Sequence, residues 1–213
     1  MKIGIIIPDR KDRPLFLANC LRMIHEQTVK PDIVELVNDD PLSDDCDITW
    51  RYRLGYERMR KRNLDIIFLM ENDDYYAPDY IETMLNEWHK HGCPEIFGTN
   101  YTIYYNIKLF AWFTMNHLTR SSAMSTMLRP DLTFPWCADN EPYTDIHLWD
   151  KLKGVVFQPS KHICLGIKHG IGLCGGRGHN DRLHRFTELD HDKRLLSQVM
   201  DNKSFDFYTN YFQ

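Results

Sequence analysis

Three short apolar runs, rich in β-branched residues, punctuate the first seventy positions: Lys2 to Ile7, Ile33 to Val37 and Asp65 to Met70. Runs this short and this uniformly apolar predict strands buried on both faces. Between them the period changes. Leu15, Leu17, Ala18, Leu21 and Ile24 recur at helical spacing behind Pro14, with Asp12 as the expected cap. From about Arg51 to Asn63 the pattern is again helical and heavily basic, and Pro78 opens a further helix through about His89. Strand–helix alternation of this kind predicts a parallel sheet with right-handed crossovers, hence an α/β fold.

The second half is patterned differently. Phe97 to Phe113 is aromatic-rich and strand-like, and Ser121 to Leu128 is a small-residue, hydroxyl-bearing segment. Asp145 to Leu152 predicts a short amphipathic helix with Leu148 and Trp149 in the core, Gly154 to Gln158 a strand, and Asp190 to Met200 a terminal helix. Gly170 to Gly178 holds five glycines, too many for regular structure. There is no internal repeat or linker, so one domain is expected over 1–213. About 1–96 would form one half and about 97–213 the other, with a flexible loop at 170–178.

Composition narrows the function classes. The 213 residues are 43% hydrophobic and 26% charged, with a formal charge of −4. That is ordinary for a globular protein, and it argues against a nucleic-acid binder, which needs a basic stripe. The N-terminus lacks a secretory signal's apolar region, and no stretch approaches the ~20 residues of a membrane span. The six cysteines form no CxxC pair, so reduced thiols and a cytoplasmic location are expected.

The charge is not evenly spread. In parallel sheets, ligands bind beyond the carboxyl ends of the strands. Here those ends are Pro8-Asp9-Arg10, Asn38-Asp39-Asp40 and Glu71-Asn72-Asp73-Asp74, and the loop from Asn38 to Asp47 holds five aspartates. Clustered carboxylates repel unless a cation joins them, and hard divalent ions prefer oxygen ligands. Mg²⁺ in particular takes one or two carboxylates together with substrate phosphates. A solvated acidic turn capping the next helix explains the motif equally well in isolation.

In order, IGIIIPDRKDRPLFLANCLRMI, IVELVNDDPLSDD and IIFLMENDDYYAPDYIETML resemble the nucleotide-binding half of GT-A glycosyltransferases of the family 2-like group, over roughly residues 3–85. The resemblance implies a Rossmann-like half with a mostly parallel central sheet flanked by helices, and a smaller acceptor-side half. It implies a nucleotide-sugar donor, UDP-linked before other bases, a glycan or glycoprotein acceptor, and Mn²⁺ or Mg²⁺. Pro8, Asp9, Arg10 and Asn72 would line the nucleotide site, and Asn38 and Asp39 would meet the base, where the family more often has two aspartates. Arg51 or Arg53 would approach the diphosphate, leaving Arg58, Arg60, Lys61 and Arg62 as a solvated face. Glu71 replaces the usual first aspartate of the metal motif, so Asp73 is the expected main ligand, helped by Asp74. The chain is also similar to the N-terminal domains of chlorella-virus glycosyltransferases that decorate capsid protein, which would place it in a host-cell cytoplasm.

Inverting transfer needs a carboxylate to take the acceptor's proton. Tyr143-Thr144-Asp145-Ile146-His147-Leu148-Trp149 resembles the family's base segment with Thr144 in place of Glu, making Asp145 the expected base. An acid at a helix start is also a good cap. Asp139 and Glu141 are nearby substitutes. Family likeness further points to His169 as a third metal ligand, with Arg177 and His179 neutralising pyrophosphate as the glycine-rich loop closes. Cys164, His169, Cys174, His179 and His184 recur every five residues, a wider spacing than the paired ligands of structural zinc. Two other classes stay open: a retaining GT-A transferase or nucleotidyltransferase, and a non-catalytic nucleotide-sugar-binding module.

Overall fold

A computed structural model describes residues 1–41, 43–173 and 182–212. Its first sheet begins with β1 (Ile3–Pro8), β2 (Ile33–Val37) and β3 (Ile66–Leu69), with β1 pairing parallel to both others. It is completed by β5 (Ile96–Thr99), β8 (Thr126–Leu128) and β9 (Gly154–Phe157), in the order β2-β1-β3-β8-β5-β9. Only β8 runs against its neighbours, so the sheet is mostly parallel. A second sheet joins β4 (Tyr75–Tyr76), β6 (Tyr101–Asn106), β7 (Ala111–Asn116), β10 (Cys164–Lys168) and β11 (Glu188–Leu189), in the order β11-β7-β6-β10-β4.

The unbroken apolar runs have a direct cause, which is that both faces of the first sheet are covered. Ile3, Ile5 and Ile7 of β1, with Ile66 and Phe68 of β3, pack against α1 (Pro14–His25) and α3 (Tyr80–Lys90). The alternate residues Ile6, Ile67 and Leu69 pack on the other face against α2 (Ile48–Met59) and Leu148 and Trp149 of α4 (Thr144–Lys151). A strand's period of two thus divides one apolar run between two cores. Each such fully buried side chain contributes at most ~1.5–3 kcal/mol of transfer free energy. Gly55 sets the seat of α2: a Cβ there would lie 2.5 Å from Ile6 Cγ2, so any side chain would lift the helix off β1.

Several boundaries differ from expectation. Arg13, not Asp12, precedes α1, and no side chain caps it; Asp12 instead pairs with Arg13 Nε at 3.3 Å. The basic helix starts three residues early, at Ile48, and ends at Met59, leaving Arg60, Lys61 and Arg62 exposed in the turn beyond. The aromatic stretch is split into β5, β6 and the start of β7. The C-terminal segment forms two helices, α5 (Arg194–Val199) and α6 (Asn202–Asn210), the second capped by Asp201 accepting from Ser204 N at 3.0 Å. Cys46 is disulfide-bonded, against the expectation of reduced thiols, while Cys20, Cys93, Cys137 and Cys164 are free. Among the described residues no helix is long and apolar enough to cross a membrane.

Candidate active site

The acidic motif leaves β3 as a tightly braced loop. Glu71 N donates to Tyr76 Oη at 2.8 Å, and Asn72 Nδ2 donates to Asp9 Oδ1 at 2.8 Å, tying the end of β3 to that of β1. Asp74 Oδ1 accepts from Ile167 N of β10 at 2.7 Å. From α6, Tyr208 Oη reaches the carbonyl oxygens of Asp73 and Asp74 at 3.2 and 3.0 Å. Tyr208→Phe removes this brace and leaves buried carbonyls short of a donor, so a stability loss of about 1–3 kcal/mol is expected. A denaturant midpoint equal to wild type would show that the brace carries no stability.

Asp73 is the centre of the cluster. Its Oδ2 accepts from Arg13 and from His169 Nε2, the latter at 2.7 Å. Although burial opposes its charge, Arg13 and His169 hold its carboxyl well below the usual range. Burial acts unopposed enough on its neighbours to raise Asp74 and to push Glu71 up to about 7, with Lys168 working the other way in both. One oxygen of each of Glu71, Asp73 and Asp74 lies within 4.8 Å of the others. Asp73 Oδ1 and Asp74 Oδ2 are buried with no hydrogen-bond partner. Three clustered carboxylates, two of which keep a buried oxygen without a hydrogen-bond partner, fit a divalent cation.

His169 takes a different place from the one expected. Its Nδ1 accepts from Ile171 N at 3.1 Å, which leaves the proton on Nε2 to be donated to Asp73. The ring is fully buried against Phe16, 4.3 Å between centroids, and does not line the cavity. With both nitrogens engaged it orients Asp73 rather than offering a free ligand atom.

A cavity of about 360 Å³ opens beyond this loop. Pro8, Asp9, Arg10, Asn72 and Arg51 line it together with Glu71 and Asp73. Arg51, however, spends its donors inside the protein: on Asp47 Oδ2 at 2.8 and 3.1 Å, and on the carbonyls of Val37 and Asp39 at 2.8 and 3.0 Å. It anchors the loop after β2, as does Arg10, which pairs with Asp47 Oδ1 at 3.0 Å. Arg53 is turned to Asp139, at 3.0 and 3.1 Å, and does not line the cavity. Nor do Asn38 and Asp39: Asn38 is exposed, and Arg58 one helical face away captures the Asp39 carboxylate at 2.7 and 2.9 Å. Of the solvated face expected on α2, Arg58 is therefore an ion-pair partner. Arg177 and His179 lie outside the described residues.

Helix α4 presents Asp145 to the same cavity from its first turn. Burial raises its carboxyl above the ordinary aspartate range, opposed by its ion pair with Arg120 and by backbone N–H groups. The wall beside it is aromatic: Tyr104 and Phe113 stack with centroids 5.3 Å apart, and Tyr104 Oη meets Ser122 Oγ at 2.8 Å. Arg182 contacts Tyr143 at the rim. The sequence reading missed Arg13, Arg120, Lys168, Arg182 and Arg185, all of which line the cavity. Arg13 and Lys168 had a signal, each next to a motif already singled out; Arg120 had none, because only the fold brings its loop to α4.

The architecture matches solved structures of Staphylococcus aureus TarS. Against TarS 1–349 in complex with UDP-GlcNAc the TM-score is 0.53 at 11% identity, covering 79% of this chain and 59% of that one. Against the complex with UDP it is 0.50 at 12% identity, covering 78% and 60%. The chain has the GT-A fold. It spans about three-fifths of the length of those two TarS chains. A third structure, TarS 1–349, gives 0.50 at 10% identity over all of this chain and 70% of that one. No protein-family profile matches the sequence, and no curated protein matches it.

Proposed function

We propose that this chain is a metal-dependent glycosyltransferase of the hexosyltransferase type, moving a sugar from a nucleotide-diphosphate sugar to a hydroxyl of a glycan or glycoprotein with inversion. The observation that supports this is that Glu71 and Asp73 of the carboxylate loop line one cavity together with Asp145, at the carboxyl edge of the sheet of a GT-A fold. The TarS complexes with UDP and UDP-GlcNAc support a UDP-linked donor. Residues 1–213 are taken as a single catalytic domain.

Asp145 accepts the proton of the acceptor hydroxyl as that oxygen attacks the anomeric carbon from the face opposite the diphosphate. The new carbon–oxygen bond forms as the bond to the phosphate oxygen breaks, and the electron pair leaves with the nucleoside diphosphate. Glu71, Asp73 and Asp74 would hold Mn²⁺ or Mg²⁺, which supplies charge neutralisation at the departing diphosphate. His169 and Arg13 fix Asp73, and Asn72 with Asp9 fixes the loop's entry. Tyr104 and Phe113 give the cavity an aromatic wall.

A thermal-shift screen of UDP, GDP, CDP and dTDP sugars, each with and without Mn²⁺, tests the proposal. A UDP-sugar with Mn²⁺ is expected to stabilise most, by about 2.7 kcal/mol at a hundredfold excess over Kd. If no nucleotide stabilises the protein, the donor site is wrong.

A further inference from the structure

Lys168 is buried beside the acidic loop, and its side chain makes no hydrogen bond or ion pair with another described residue. The alternation of β10 explains where it points. Ile167 gives its N–H to Asp74 and His169 packs on Phe16, so Lys168, between them, faces the cavity. Its Nζ lies over the Tyr104 ring, 5.2 Å from the centroid. The contrast with Arg13 is informative: Arg13 is committed to Asp73, whereas the three donors of Lys168 are uncommitted. An ammonium at the cavity wall whose donors meet no protein acceptor can take an anionic partner from the cavity.

We propose that Lys168 is a direct ligand of the donor's phosphate groups, donating from Nζ to a phosphate oxygen of a nucleoside diphosphate seated against the Glu71–Asp74 loop. This rests on the nucleotide-sugar reading above and adds a residue to it. The ammonium faces the cavity with its donors free, and a phosphate oxygen is the strong, multiply negative acceptor that such a group suits. The same ammonium repels a divalent cation in the neighbouring oxygen cluster. Its removal therefore has opposite effects on the two ligands, which loss of packing alone does not produce.

The test is calorimetric titration of wild type and Lys168→Met with Mn²⁺ alone, with uridine, and with UDP in the presence of Mn²⁺ and of EDTA. In Lys168→Met, UDP affinity is expected to fall about 10- to 100-fold in both conditions. Uridine affinity is expected to stay at the wild-type value, and Mn²⁺ alone to bind as tightly or more tightly. Lys168→Gln, which keeps a polar donor without the charge, is read in the same way should the methionine variant not fold. Equal UDP affinities in wild type and variant overturn the assignment of Lys168 while leaving the donor site standing. Parallel weakening of Mn²⁺ and UDP overturns it too, since Lys168 then only supports the acidic loop. Failure of wild type to bind UDP at all overturns the parent proposal along with this one.

Discussion

Asp145→Asn is expected to lower the rate of transfer by about 10²- to 10⁴-fold with donor affinity unchanged. The amide keeps the size and much of the polarity of the carboxylate but cannot accept the acceptor's proton. Wild-type activity should also depend on pH in a particular direction. The base works only when ionised, and burial raises the Asp145 carboxyl above its ordinary value, so kcat rises with pH through a limb above the ~3.9 of a free aspartate. Arg120 favours the ionised form through its ion pair. Arg120→Met should then move the limb to higher pH. Turnover by Asp145→Asn at the wild-type rate would exclude Asp145 as the base and turn attention to a retaining mechanism, which needs no base there.

Asp73→Asn should do greater damage. Direct loss of a ligand oxygen is expected to weaken Mn²⁺ by more than the ~10- to 100-fold that follows when only a ligand's hydrogen-bonding partner is removed. The Mn²⁺-dependent part of the nucleotide thermal shift should vanish with it. The apoprotein suffers as well, because Arg13 and His169 both lose the carboxylate that pairs them. Breaking a buried pair on one side costs about 3–5 kcal/mol. The two readouts, Mn²⁺ titration and denaturant unfolding, separate the ligand role from the structural one. Unaltered Mn²⁺ affinity would place the cation elsewhere or nowhere.

These predictions draw on parts of the site that were unequally legible. Asp73, Asp9 and Asn72 were singled out from the ends of apolar runs, and all three line the cavity, because a strand buried on both faces delivers its next residues to a fixed edge. Asp145 came from a resemblance in a short segment, and the fold places it in the cavity wall. His169 was read as a third metal ligand; its Nε2 donates to Asp73 and its Nδ1 accepts from the backbone N–H of Ile171, a hydrogen bond that a sequence does not display. Asn38, Asp39 and Arg53 were read as facing the nucleotide, yet Arg58 and Asp139 draw Asp39 and Arg53 away. Such exchanges between neighbouring charges are decided by distances of an ångström or two. Helix α6, Asn202 to Asn210, was not predicted: the terminal helix was expected over Asp190 to Met200.

The sequence by itself determined the α/β class, the order of the first elements and the edge at which carboxylates gather. Those properties follow from local period and from burial, which the order of residue types records. Tertiary structure alone decided which charges are spent. It committed Arg51 to Asp47 and two carbonyls, and Arg13 to Asp73, and it left Lys168 facing the cavity with its donors idle. It also brought Arg120 to Asp145 across 25 residues. A charged side chain's partner depends on what the rest of the chain packs beside it, and that information is not local.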